Sequence, residues 1–352
     1  MFLILTRFKL LFFQSNEEWA GLQVSSCSSL KDVTIQNGVW EISRSAFSDC
    51  SSITSITIPS SVAKIGEDAF WNCSSLTNIK VLAYRIAIGF EAFPLECVPR
   101  NPNENIYYFK GNKDIKEVVI PNAFTSISGN TFSDCSSLTN VFISNNITMI
   151  RSFAFCNCKS LTTINIPSSV EYIGCQTFSG CSSLISVIIP DNVKYIGDSA
   201  FSECSSLTNV VISNSITKIN FDLFYNCKSL KRITIPNNVK YIGDCAFAGC
   251  KSLSEVNIPD GVQKIKEKAF WGCSSLIIIN IPNQVTKICS YAFFNCSSLS
   301  SVIIPESVRE ISYRAFYGCS SLESVNIPKT VRKICYCSFP LKCKINKINL
   351  YQ

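Results

Sequence analysis

A repeat of 23 residues governs almost the whole sequence of 352 residues. Its marker is a cysteine followed by Ser or Lys, then Ser, then Leu or Ile. Twelve such cysteines recur at this spacing, in two runs: Cys27, Cys50 and Cys73, then Cys135, Cys158, Cys181, Cys204, Cys227, Cys250, Cys273, Cys296 and Cys319. Asn112 takes the cysteine position one period before Cys135, which makes 13 coils. A period this short and regular is typical of a chain that stacks one small unit on the next.

Other positions keep the same period and indicate what each unit contains. The residue 15 after the cysteine position is Ile in every coil, and the residue 20 after it is Phe in every coil. In the coil of Cys181, Val187 and Ile189 form an alternating apolar pair before Pro190, which predicts a short strand closed by the proline. The second half of the unit has apolar residues three to four apart and suits a turn or a partial helical turn.

No single unit can bury its apolar columns alone, so neighbouring units must stack. We therefore predict a repeat solenoid, a leucine-rich-repeat-like right-handed coil of about 13 repeats with one short parallel strand per coil. Strands that stack about 4.8 Å apart would give an axis of roughly 60 Å before curvature.

The repeat also resembles a known family. The segments Leu253–Pro259, Val193–Gly197 and Ala246–Cys250 are similar to the BspA-like, or treponemal-type, leucine-rich repeats, and the resemblance covers roughly residues 27–350. It implies a curved solenoid and a bacterial or protozoan surface protein that acts in adhesion or binds host proteins. The family is known for binding and not for a catalytic motif, so the resemblance implies no functional residues.

The repeat register predicts five segments along the chain. They are a degenerate N-terminal cap (1–26), a three-coil array (27–95), an insertion (96–111), a ten-coil array (112–341) and a basic C-terminal cap or half coil (342–352). Within the N-terminal cap, Trp19, Leu22 and Val24 are expected to cover the open edge of the first strand.

The insertion is a candidate binding element. It contains the aromatic residues Tyr107, Tyr108 and Phe109, and two interpretations of it stay open. It is either a degenerate coil whose aromatic side chains pack inward, or a protruding loop that contacts a partner.

Composition excludes several classes of function. The chain carries a net charge of +7, but six basic residues follow Glu323, and the remainder has 26 basic and 25 acidic residues. Such a balanced body has no broad field for nucleic acid or an anionic membrane. The basic tail is interpreted as a solvated terminal face or as a contact for an acidic partner or a lipid head group. The absence of histidine removes the usual general base and histidine metal sites. We expect no enzyme activity and no cofactor.

Gly174, Gly197 and Gly243 recur at one corner, where we expect them to supply backbone freedom.

The cysteines are interpreted mainly as structural. A thiol at the ladder position can pack in a corner and donate to a neighbouring carbonyl, and a row of thiols does not form a tetrahedral metal site. Cys335, Cys337 and Cys343 form the densest group outside the ladder, with Cys319 expected one coil below. Zinc binding there has only weak support, a disulfide would need an oxidising compartment, and we assign no metal site.

The outward face of the strands is the main binding hypothesis. The residues five and seven after the cysteine should point to solvent. At the seventh position, four apolar residues and one amide occupy neighbouring coils, and we take these five as the candidate protein-binding face: Val119, Phe142, Asn165, Ile188 and Val211. The competing explanation is that β-branched residues simply favour strands. Toward the C-terminus Asn257, Asn280 and Asn326 occupy this column, so the face is expected to grade from apolar to amide.

Two kinds of binding protein remain open from the sequence. The family resemblance implies a cell-surface or secreted adhesin-like protein that recognises host or neighbouring-cell proteins. The alternative is an intracellular scaffold, favoured by the numerous thiols and by an N-terminus in which Arg7 and Lys9 interrupt the apolar run that a signal peptide needs. No stretch of 18 apolar residues predicts a transmembrane helix. The oligomeric state is not predicted.

Overall fold

The computed structural model describes residues 24–59, 61–76, 110–111, 113, 115–120 and 125–348. For residues 4–6, 9–11, 78–81, 87–88, 119 and 347–348 it describes the backbone alone. Tyr107, Tyr108 and Phe109 lie outside the described residues, as does nearly all of the predicted insertion. Trp19 and Leu22 of the predicted cap also lie outside them.

Each coil contributes two strands to the solenoid. The chain begins with β1 (Ile4–Thr6) and β2 (Lys9–Leu11). The first strand of each coil carries the predicted alternation, in β3 (Asp32–Thr34), β5 (Ser55–Ile58), β7 (Asn78–Val81), β9 (Glu117–Ile120), β11 (Asn140–Ile143), β13 (Thr163–Asn165), β15 (Ser186–Ile188), β17 (Asn209–Val211), β19 (Arg232–Thr234), β21 (Glu255–Asn257), β23 (Ile278–Asn280), β25 (Ser301–Ile303), β27 (Ser324–Pro328) and β29 (Lys344–Ile348). The second strand has two residues and ends at the invariant Ile, in β4 (Glu41–Ile42), β6 (Lys64–Ile65), β8 (Ala87–Ile88), β10 (Ser126–Ile127), β12 (Met149–Ile150), β14 (Tyr172–Ile173), β16 (Tyr195–Ile196), β18 (Lys218–Ile219), β20 (Tyr241–Ile242), β22 (Lys264–Ile265), β24 (Lys287–Ile288), β26 (Glu310–Ile311) and β28 (Lys333–Ile334).

The strands of successive coils pair in parallel, at a register of one repeat. Ile164 of β13 lies opposite Val187 of β15, which in turn lies opposite Val210 of β17. The predicted solenoid of parallel strands is confirmed, and about 12 turns of roughly 23 residues are present. The second strand of each coil was not predicted, because two residues are too few to show an alternation. The one antiparallel pairing among the described strands joins β1 to β2, and β2 extends the sheet by pairing with β3.

The return segment of each coil is built from turns, and the described residues contain no helix. Two residues per coil take the left-handed backbone conformation, for example Ser199 with φ 56° and Glu203 with φ 60°. The prediction that the corner glycines supply backbone freedom is wrong. Gly197 does not have a left-handed φ, and a side chain there would collide with the backbone of Cys175 in the preceding coil. The corner therefore needs space between coils and not backbone freedom.

The invariant phenylalanines form the centre of the core. Phe201 is fully buried, and its ring stacks on Phe178 at 5.3 Å and on Phe224 at 5.8 Å between centroids. The same stack is described from Phe132 to Phe339 without interruption. Since every ring occupies the same place in its coil, the stack holds successive units in one register.

The ladder cysteines have the structural role that the sequence predicts. The thiol of Cys227 is buried and donates to the carbonyl of Phe201 at 3.2 Å. Equivalent bonds join nearly every described pair of neighbouring coils. At the N-terminal end, where Val24 takes the place of the phenylalanine, Cys50 donates to the carbonyl of this buried valine. Cys27, the first of the ladder, is exposed. The buried thiols therefore donate to buried carbonyls of the preceding coil.

Candidate binding surfaces

The outward side chains of the first strands form one long surface, which we call the strand face. Along each strand the burial alternates as predicted, so that in β15 Val187 is buried whereas Ile188 is 66% exposed. Phe142 and Val211 in the same column are 47% and 49% exposed, and Asn165 is exposed. These four predicted residues therefore point to solvent.

The structure also shows how the predicted residues line up. Asn165, Ile188 and Val211 are register partners in three successive strands, and Phe142 is the register partner of Val119. For Val119 only the backbone position is described, which places it in the same column. The column runs across adjacent strands and can be covered by a single partner.

The strand face does not grade from apolar to amide as the sequence suggested. Ile277, Ile278 and Ile303 are 50%, 52% and 60% exposed and form a second apolar patch among the asparagines of the C-terminal coils. Sequence reasoning missed it because two of its members lie four and five residues after the cysteine, outside the column that was compared. Ile185 is 49% exposed and belongs to the first patch. It was missed because it also lies four residues after its cysteine.

The two apolar patches are separated by a charged stretch. Lys231 and Arg232 are exposed in the coil of Cys227, and Arg232 is the register partner of Glu255. The strand face therefore presents apolar, charged and again apolar chemistry along its length. A partner of matching pattern would gain burial at two places and orientation from the charges between them.

The outward residues of the second strands are mostly polar. Lys64 of β6 pairs with Glu41 of β4 at 2.8 Å, and Lys194, just before β16, pairs with Glu171, just before β14, at 2.9 Å. Both pairs join neighbouring coils. These pairs are exposed, so each contributes about 1 kcal/mol or less. This region resembles an ordinary solvated surface.

A third surface lies on the turns of the C-terminal coils and was not predicted. It consists of five aromatic rings in contact, which we call the aromatic surface: Trp271, Tyr291, Phe294, Tyr313 and Tyr317. Phe294 stacks between Trp271 at 6.3 Å and Tyr317 at 5.6 Å, and Tyr291 meets Tyr313 edge to face at 5.5 Å. Trp271, Tyr313 and Tyr317 are each 37% exposed. The sequence does carry a signal for this surface, because Trp271, Phe294 and Tyr317 place an aromatic residue at the same repeat position in three successive coils.

Two cations belong to the aromatic surface. The guanidinium of Arg314 lies 5.0 Å from the ring centre of Tyr313 and 5.1 Å from that of Tyr317, and Lys268 lies 5.9 Å from the ring centre of Tyr291. Within the described residues, neither cation forms an ion pair. The Nε of Arg314 is buried without a hydrogen-bond partner among them. Aromatic faces thus hold these charges in place without neutralising them.

The buried thiols of Cys156 and Cys250 are poorly suited to nucleophilic chemistry. Burial raises the pKa of Cys156 to about 11 and that of Cys250 to about 12, so both stay protonated at neutral pH. Cys335, Cys337 and Cys343 are free and partly buried, and burial also raises the pKa of Cys343. The described part of the chain brings no three Cys, Asp or Glu side chains into a metal-binding group.

Comparison with known proteins places this geometry in a family. The BspA type leucine rich repeat region matches in six copies, over residues 24–97, 105–231 and 217–346. The chain therefore belongs to the BspA-type leucine-rich repeat family. No curated protein matches it significantly. Among the described residues, no helix is long and apolar enough to cross a membrane.

The solved structure of one similar protein agrees with the fold, and a second is similar in sequence. A leucine-rich repeat protein from Bacteroides ovatus is 29% identical with a TM-score of 0.65, and the match covers 92% of this chain and 79% of that one. A leucine rich cell surface protein from Faecalibacterium prausnitzii is 26% identical with a TM-score of 0.42, covering 91% of this chain and 80% of that one.

Proposed function

We propose that the chain is a non-enzymatic recognition protein, cell-surface or secreted and adhesin-like, whose strand face binds protein ligands. The observation that carries the proposal is the exposed apolar patch around Ile188. A side chain that is 66% exposed and aligned with the half-exposed Val211 adds nothing to the core. Exposed apolar patches rimmed by polar groups are typical of protein contacts.

The external location is supported by the family resemblance. The free thiols do not argue against it, because the ladder cysteines from Cys50 onward are buried and would resist oxidation in any compartment. The alternative, an intracellular scaffold that uses the same face, makes the opposite prediction for access from outside. Protease shaving of intact cells separates the two: release of fragments supports the external protein, and protection until lysis supports the scaffold.

A pair of matched variants tests the strand face. Ile188→Asp places a charge in the patch, and Thr234→Asp places the same charge at the equivalent exposed position two coils away. We expect Ile188→Asp to weaken binding at least tenfold, since a central apolar contact is commonly worth about 2 kcal/mol or more. Thr234→Asp should change binding little. The measurement is surface plasmon resonance against a panel of purified extracellular proteins.

Phe142→Asp extends the test to the neighbouring coil. Its ring is 47% exposed, so the variant should keep the circular dichroism spectrum of the native chain while weakening binding. Affinities that are the same for Ile188→Asp, Phe142→Asp and Thr234→Asp would rule out this patch as the binding site. Loss of the folded spectrum in Phe142→Asp would identify that ring as part of the core.

A further inference from the structure

We infer that the aromatic surface is a second binding site, and that it takes an acidic polysaccharide in which acidic and uncharged sugars alternate. This inference does not rest on the strand face, because the two surfaces come from different segments of the coil. It stands on the ring contacts, the uncompensated cations and the exposure of the rings.

The charge of this surface calls for an anionic ligand. Lys268 and Arg314 are held against aromatic rings, and among the described residues no carboxylate pairs with either of them. Nearby Lys266 pairs with Asp244 at 3.2 Å, and Glu267, which precedes Lys268, is exposed and forms no ion pair with a described residue. An acidic ligand would gain charge-assisted hydrogen bonds from a guanidinium that the tyrosines have already oriented.

The order of groups along the axis favours a sugar chain. Lys268 and Arg314 lie two coils apart, which is roughly 10 Å at the spacing of stacked strands. Tyr291 and Phe294 belong to the coil between them, so the sequence along the axis is cation, rings, cation. A polysaccharide with an acid on every second sugar has the matching order of acid, uncharged ring and acid.

The surface chemistry fits the sugars between the acids as well. A pyranose ring has apolar C–H faces and a rim of hydroxyl groups, and a partly exposed tyrosine likewise offers an apolar ring and a polar hydroxyl. Tyr313 and Tyr317, each 37% exposed, flank Arg314 with this combination.

An extended acidic peptide fits less well. Its side chains on one face recur about every 6.7 Å, so pairs of acids fall near 6.7 Å or 13 Å and not near 10 Å. An acidic polypeptide is therefore the competing ligand that the experiment must distinguish from the polysaccharide.

Isothermal titration with hyaluronan oligosaccharides tests the inference, with dextran as the uncharged sugar and polyglutamate as the acidic polypeptide. We expect hyaluronan to bind, to bind more weakly as salt is raised, and to bind more tightly than either control. Arg314→Gln should weaken binding roughly tenfold or more, because it removes charged hydrogen bonds. Lys218→Gln, an exposed lysine on β18 that makes the same charge change, should have little effect.

Tail variants complete the design, since Lys344 and Lys347 could attract any polyanion. The double variant Lys344→Gln with Lys347→Gln should retain most of the affinity. Absence of hyaluronan binding, tighter binding of polyglutamate, or equal losses in Arg314→Gln and Lys218→Gln would each overturn the inference. So would a loss confined to the tail variant. Unchanged urea unfolding of Arg314→Gln ensures that a loss of affinity reflects the surface and not the fold.

Discussion

The stack of phenylalanine rings makes a quantitative prediction about where the solenoid is most sensitive. Phe201 is fully buried and has a ring on each side, whereas Phe339 is 7% exposed and has one described neighbour, Phe316, at 5.2 Å. Truncation of a buried phenylalanine to alanine costs about 3–5 kcal/mol. Each stacked pair contributes about 0.5–1.5 kcal/mol beyond burial. We therefore expect Phe201→Ala to fall in the upper part of that range and Phe339→Ala to cost about 1 kcal/mol less.

Two measurements check this prediction. Urea unfolding followed by circular dichroism gives the overall loss of stability, and hydrogen exchange shows where the chain opens. In a solenoid each coil contacts only its neighbours, so Phe201→Ala should raise exchange first in β15 of the altered coil and in β13 and β17 of the coils on either side of it. Equal costs for Phe201→Ala and Phe339→Ala would refute the reasoning, because the second stacked ring would then contribute nothing. A cost below about 1 kcal/mol for Phe201→Ala would refute the assignment of the stack as the core.

Two further predictions concern the thiol ladder. The buried carbonyl of Phe201 accepts two hydrogen bonds, from the thiol of Cys227 at 3.2 Å and from the backbone N–H of Cys204 at 3.4 Å. Cys227→Ala removes the first of them and should cost about 1 kcal/mol in urea unfolding, the net value of one hydrogen bond. Cys227→Ser, which keeps a donor, should cost less, and the reverse order would contradict the role of the hydrogen bond. Burial raises the pKa of Cys250 to about 12, so the stabilisation from the neutral thiol is fully present below the ordinary thiol pKa of about 8.5 and is lost as pH rises toward 12. At pH 8, iodoacetamide should therefore modify exposed Cys27 in the native chain and reach Cys250 only after unfolding, and rapid native modification of Cys250 would disprove its burial.

The core of this protein could be predicted from the sequence because repetition supplies many independent copies of the same observation. The columns of Ile and Phe identify the buried positions without any alignment, and the structure places Ile196 and Phe201 in the core as expected. The second strand escaped prediction because two residues carry no period. The reason for the glycine at position 197 escaped too, since a clash with the neighbouring coil depends on the distance between backbones and not on local sequence.

The proposed binding surfaces were only partly predictable, for a related physical reason. The outward column containing Ile188 was found because one strand position was compared across all coils. The patch of Ile277, Ile278 and Ile303 mixes three repeat positions, and the aromatic surface also mixes positions within the turns. Side chains from different positions become neighbours only once the coil is closed, so their contacts cannot be obtained from any single column.

This difference also explains how one solenoid can carry two separate surfaces. The invariant residues determine the register, and in β13 and β15 the exposed partners Asn165 and Ile188 differ completely in chemistry without changing the pairing. A surface position is therefore free to vary as long as its inward neighbour is retained. Ile303 on the strand face and Tyr313 on the aromatic surface are both exposed and belong to the same coil, Ile303 on its first strand and Tyr313 on its turns. Each surface can thus vary in its chemistry at little cost to the shared core, because the departures from the repeat fall on exposed positions.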